Sequence, residues 1–146
     1  MIAISARGRY ASRIMVFLAS QPQDVPVTIH EIASAEAISP AYVEQLMMPL
    51  KVAGMVVSHR GRAGGFSLGR DPETISVADV LGAVEGKVSV APCDAVNVCD
   101  RAPTCPTRGI WMKASSLLDK LFAGATIAAL ARDAAELNEV DRPPEA

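Results

Sequence analysis

The chain has 146 residues, of which 50% are hydrophobic and only 4% aromatic, and its formal net charge is −2. That length suits one domain, or one domain with an extension, around a core of aliphatic residues and methionine. No apolar run approaches the roughly 20 residues of a membrane helix, and no basic leader precedes an apolar block at the N-terminus, so a cytoplasmic protein without a membrane partner is expected.

The charges are unevenly placed. Residues 1–70 carry Arg7, Arg9, Arg13, Lys51, Arg60, Arg62 and Arg70 against Asp24, Glu31, Glu36 and Glu44, a balance of +3, which leaves −5 for the remainder. A basic front and an acidic back point to a polyanion met by the front half alone.

The elements follow in chain order. Tyr10, Ile14, Phe17 and Leu18 recur at helical spacing and predict a helix over Ala6–Ser20. Thr28 and Glu31 form a capping box that opens a short helix, Ile29–Glu36. Ser39-Pro40 starts a third helix, with Val43, Leu46, Met47 and Leu50 inward, ending at about Ala53 before Gly54. Pro49 is expected to remove one backbone bond and kink its last turn. Two short helices joined by a tight turn match a helix-turn-helix.

Met55–His59 and Phe66–Leu68 predict two strands joined by the basic, glycine-rich tip Arg60-Gly-Arg-Ala-Gly-Gly65. A hairpin directly after a helix-turn-helix is a wing, and its tip suits a phosphate backbone or a minor groove. Ser76 caps a fourth helix, Val77–Glu85, and Gly86–Val90 is expected to be extended. A long helix from Pro106 to about Phe122 carries Ile110, Met112, Leu117, Leu118 and Leu121, and Thr126 caps a last helix, Ile127–Leu137. The tail from Asp141 to Ala146 is expected to be disordered. The fold class is therefore mainly α with a small β-hairpin wing. Its divisions are a DNA-binding unit at 1–86, a cysteine loop at 87–108, a dimerisation and C-terminal helix at 109–138 and a tail at 139–146.

All three cysteines, Cys93, Cys99 and Cys105, stand in one polar segment broken by Pro92, Pro103 and Pro106, with five residues between neighbours. An odd number of cysteines in a reducing compartment argues for metal or redox chemistry rather than a disulfide framework. The chain has no nucleotide-cradling loop and no catalytic His/Asp constellation. Its two histidines, His30 and His59, both lie in the DNA-reading half. An enzyme is therefore not expected.

Gly8-Arg-Tyr10, Tyr42-Val-Glu-Gln-Leu46, the run from Gly54 to Leu68 and the Cys93, Cys99 and Cys105 spacing together resemble the bacterial iron–sulfur winged-helix repressors. That group includes IscR, NsrR and RirA, and the resemblance runs from Ile4 to about Leu137. It implies a homodimer on double-stranded operator DNA. Tyr42, Glu44 and Gln45 would face the major groove, and Arg60 would enter the minor groove. An iron–sulfur cluster on Cys93, Cys99 and Cys105 would sense iron, redox state or nitric oxide. Ser39, Arg7, Arg9 and Arg62 would position the backbone.

Arg108 stands where the cluster regulator has a histidine ligand, and a guanidinium is a poor ligand for iron. Asp94, Asp100, a partner residue or a small molecule would then supply the fourth position, which favours a four-iron over a two-iron cluster. The alternatives are a cluster-free regulator with a thiol or zinc switch, and an iron–sulfur redox protein.

Overall fold

The computed structural model describes residues 3–23, 25–94 and 99–140, with the side chains of Asp94 and Val140 left aside. The tail expected over 141–146 lies outside the described residues. Six helices and one hairpin run α1 (Ala6–Ala19), α2 (Ile29–Glu36), α3 (Pro40–Val52), β1 (Val56–His59), β2 (Gly65–Leu68), α4 (Val77–Val84), α5 (Arg108–Gly124) and α6 (Ile127–Val140).

Local chemistry explains each boundary of the front half. Ser5 caps α1 by accepting from the Gly8 N–H. Thr28 and Glu31 exchange the two bonds of a capping box at α2, and Ser76 and Asp79 do the same at α4. α2 closes with Ile38 N–H donating to the Ala33 carbonyl and Ala37 N–H to that of Ser34. This is a Schellman closure, yet its left-handed position holds Ala37 at φ 54° rather than glycine. α3 closes the same way, through Met55 to Leu50 and Gly54 to Lys51, with Gly54 at φ 70°. α3 runs on through Pro49 to Val52; the bond that proline removes is the one to the Gln45 carbonyl.

The core gathers Ile14, Met15, Ile32, Val43, Leu46, Met47, Leu50, Met55 and Ile75, all nearly or fully buried. Gly8 is buried where α1 crosses α4, and a Cβ there would come within 2.7 Å of Leu81 Cδ2. β1 and β2 pair antiparallel, with Val56 opposite Leu68 and His59 opposite Gly65. Val27 adds a separate bridge to β2 by exchanging two backbone bonds with Phe66, at 2.8 and 2.7 Å. Gly65, at φ 151°, is required there because a Cβ would strike the Val27 carbonyl.

The junction between the halves adds two details, and the second differs from the sequence expectation. Gly86–Val90 forms no strand; its end is instead held by Val90 N–H donating to Ser115 Oγ of α5 at 2.9 Å. α5 begins at Arg108 rather than Pro106; Trp111 N–H donates to the Thr107 carbonyl in its first turn, and Thr107, at the N-cap, makes no side-chain cap.

α6 returns to the front half. Val77 N–H donates to the Ala125 carbonyl, Ile127 N–H to that of Ile75, and Ile127 is fully buried in the same core. By contrast, Ser115 is the one residue of α5 that is buried.

Candidate nucleic-acid interface and cysteine loop

The second helix of the helix-turn-helix, α3, is set by its own N-cap. Ser39 Oγ accepts from Tyr42 N–H at 3.2 Å and is itself exposed. Four core residues then fix which face turns inward: Val43, Leu46, Met47 and Leu50 are buried. Glu44 and Gln45 are thereby left exposed on the outer face, and Tyr42 is half-buried. Exposed Gln45 has the paired donor and acceptor that suit adenine, and Glu44 has the acceptor that suits cytosine N4.

Tyr42 is held from below by a chain of contacts that the sequence did not reveal. Its ring meets Tyr10 of α1 edge-on, with centroids 6.0 Å apart at 84°. The Arg13 guanidinium lies 5.5 Å over the Tyr10 ring, and Arg13 Nε is 2.7 Å from Glu36 Oε2 at the end of α2. Glu36 is only 8% exposed. Burial pushes its carboxyl above the ordinary range, and Arg13 opposes that rise. Arg13 is itself exposed but is engaged by Tyr10 and Glu36; Arg7 and Arg9 on the same helix are exposed as well.

The wing tip is fixed at both feet. Lys51 Nζ of α3 donates to Ser58 Oγ at 2.7 Å, and His59 Nε2 bonds Ser67 Oγ across the hairpin at 2.8 Å. The tip closes with Gly64 N–H donating to the Gly61 carbonyl at 3.1 Å. Arg60 and Arg62 stand exposed on it. Glu31, at the first turn of α2, is held below the usual carboxylate range, chiefly by the Thr28 backbone N–H and then by its hydroxyl.

The cysteine loop is built differently. Short 3-10 turns over Pro92–Asp94 and Ala102–Thr104 are its described regular pieces, and residues 95–98 and the Asp94 side chain are outside the description. Cys93, Cys99 and Cys105 are free thiols, Cys99 exposed and the other two half-buried. Asp100 is exposed beside Cys99. Among the described residues no three histidine, cysteine or carboxylate side chains converge as a metal site.

The donor set nevertheless fits an iron–sulfur cluster. Three unpaired sulfurs on one loop are the soft donors such clusters take. The Cys105 thiol is held below its ordinary range, first by the Thr107 hydroxyl, 3.4 Å away, then by backbone N–H groups and the charge of Arg108. Arg108 has a task of its own, because its Nε donates to the Cys93 carbonyl at 3.0 Å. It thereby closes the loop from Cys93 to the first turn of α5.

On α5, Ile110, Met112, Leu117 and Leu121 are exposed, while Leu118, expected on the same face, is half-buried. No helix among the described residues is long and apolar enough to cross a membrane.

Residues 4–133 match a family model described as Rrf2, iron-dependent transcriptional regulator. IscR of Vibrio campbellii, an HTH-type transcriptional regulator, is 33% identical over 139 residues, covering 95% of this chain and 83% of that protein. IscR of Photobacterium profundum is 35% identical over 130 residues, 89% and 76% of the two chains. Among solved structures, IscR of T. potens superposes with a TM-score of 0.76 at 28% identity, covering 98% of this chain and 93% of that one. CymR, the global cysteine regulator of B. subtilis, gives 0.75 at 32% identity, covering 90% and 98%.

Proposed function

Because the chain belongs to the Rrf2 family of iron-dependent transcriptional regulators, a DNA-binding family rather than one of enzymes, we propose that it is a dimeric repressor whose operator binding is governed by an iron–sulfur cluster on Cys93, Cys99 and Cys105. The observation that carries this reading is the join between the two halves. The same loop that holds the three free thiols is tied to α5 at both Arg108 and Ser115.

α3 enters the major groove with Gln45 and Glu44 toward base edges. Ser39, Tyr42, Arg7 and Arg9 fix its register on the backbone. Arg60 and Arg62 bring the wing tip to the adjacent minor groove. The outer stripe Ile110, Ala114, Leu117 and Leu121 follows the 4-3-4 spacing of a coiled-coil seam, so α5 pairs with its copy about a two-fold axis and sets the distance between two recognition helices.

When bound, the cluster supplies a redox-active and labile link among three thiolates. Arg108 keeps the Cys93 end of the loop against α5, and Val90 is pinned to the middle of that helix. Reordering of the loop is therefore felt at α5, and through the α5 pair at the operator. Arg108 offers no ligand, so the fourth position falls to Asp100, Asp94, a partner residue or a small molecule, an arrangement that suits a four-iron cluster.

Arg60→Ala is expected to weaken operator binding by roughly 1–3 kcal/mol in a gel-shift titration; unchanged affinity would remove Arg60 from the interface. The likeness to CymR favours a second reading, a cluster-free switch working through the cysteine thiols. Iron and sulfide content after anaerobic purification separates the two. Brown protein with both elements supports the cluster, and colourless protein without them supports the thiol switch.

A further inference from the structure

The outer face of α3 is less polar than a solvated helix face should be. Its inward face is complete with Val43, Leu46, Met47 and Leu50, yet Met48 is 67% exposed and Val52 88% exposed. With Ala41 and Gln45 they form one stripe along the helix, at spacing 4-3-4. Met48 also lines an open groove of about 520 Å³ between α2, α3 and the wing, whose apolar walls include Ile29, Met47 and Phe66, with Lys51 at its edge. The stripe is continuous with Gln45 and Glu44, and the cation Lys51 lines the same groove. DNA, whose major-groove floor sets apolar points among hydrogen-bonding base edges, matches that mix of apolar and polar groups in chemistry. The thymine 5-methyl is the apolar group that DNA presents in its major groove.

We propose that Met48 is a specificity-determining residue that packs on a thymine methyl next to the base read by Gln45. The proposal rests on the assignment of α3 as the recognition helix. The three-residue step from Gln45 to Met48 advances about 4.5 Å along the helix, against about 3.4 Å per base step. The thymine therefore lies within one or two base pairs of the Gln45 contact. The unbranched thioether adapts to the methyl without a fixed rotamer, and the neighbouring groove leaves room for it to move.

The test uses duplexes selected from random sequence by the full chain. Each thymine of the half-site is replaced in turn by deoxyuridine, which removes only the methyl. At one or two adjacent positions the parent protein should lose about three- to fivefold in affinity, the scale of one buried methyl group. Met48→Ala should bind the thymine duplex about as weakly as the parent binds the uracil duplex, and should not distinguish the two. Met48→Leu should keep the discrimination. The exposure of Met48 leaves folding intact in both variants, which circular dichroism verifies. Equal affinity of the parent for thymine and uracil at every position overturns the inference, as does a Met48→Ala protein that keeps the full uracil penalty. Failure to select any duplex overturns the DNA-reading assignment as well; selected duplexes indifferent to uracil overturn the Met48 contact alone.

Discussion

The winged half and the cysteine–α5 half differ in what completes them. In the winged half every helix start is capped from within the chain, and the inward faces of its helices are buried in one core that Ile127 of α6 completes. In the other half α5 opens without a side-chain cap, leaves Ile110, Leu117 and Leu121 uncovered, and follows a loop with three unpaired thiols. The first half is a finished object. The second has the surfaces of something finished by other components, a copy of itself and a group that binds sulfur.

Paired truncations of leucine give the largest effect. Leu46→Ala removes a fully buried side chain, and chemical denaturation should show a loss of about 2–5 kcal/mol. Leu121→Ala removes one that is 65% exposed. It should change protomer stability by no more than about 0.5 kcal/mol while weakening self-association in sedimentation. Equal stability losses in the two variants would erase the contrast between the halves.

A gain of stability tests the finish of the helix-turn-helix. Ala37 sits in the left-handed region, at φ 54°, where a Cβ is strained and glycine is not. Ala37→Gly should therefore raise stability by roughly 0.5–1 kcal/mol in thermal or denaturant unfolding. A decrease would mean that the turn is relaxed as it stands.

The smallest effect is electrostatic. The folded pKa of Glu36 is raised by burial, against the pull of Arg13. Its titration therefore favours the folded state below the ordinary carboxylate range, and that contribution is lost as pH rises from there through the raised folded value. Unfolding measured across this window should show the parent losing stability relative to Glu36→Gln as pH increases. Parallel curves would show that Arg13 compensates the buried charge fully.

The contrast between the halves also explains what was legible in the sequence. The capping box at Thr28, the Ser76 cap, the Ser39-Pro40 start and the inward face of α3 are local patterns, and each appears as expected. The turn at Ala37 lacked its usual glycine, yet the Schellman bonds form. What escaped depends on residues far apart in the chain. The Val27–Phe66 bridge, the Ser76–Thr126 bridge that brings Ile127 into the core, and the Arg13–Glu36 contact each join segments that no local periodicity connects. Gly86–Val90 pairs with no strand among the described residues, and its end is anchored to Ser115 of α5, a contact between segments 25 residues apart. For the candidate site, Gln45, Glu44, Arg60 and Arg62 were legible as polar residues at exposed positions. Met48 was not, because a methionine in an amphipathic helix reads as core until the packed face is seen to be complete without it.

The most direct test of the proposed coupling compares operator affinity of the anaerobically purified parent, before and after removal of its iron and sulfide, with that of a Cys93→Ser, Cys99→Ser, Cys105→Ser protein. The proposal predicts that the parent changes affinity at least severalfold on removal, while the triple variant binds with a single affinity whatever the treatment. An unchanged parent, or a triple variant that responds as the parent does, would contradict it.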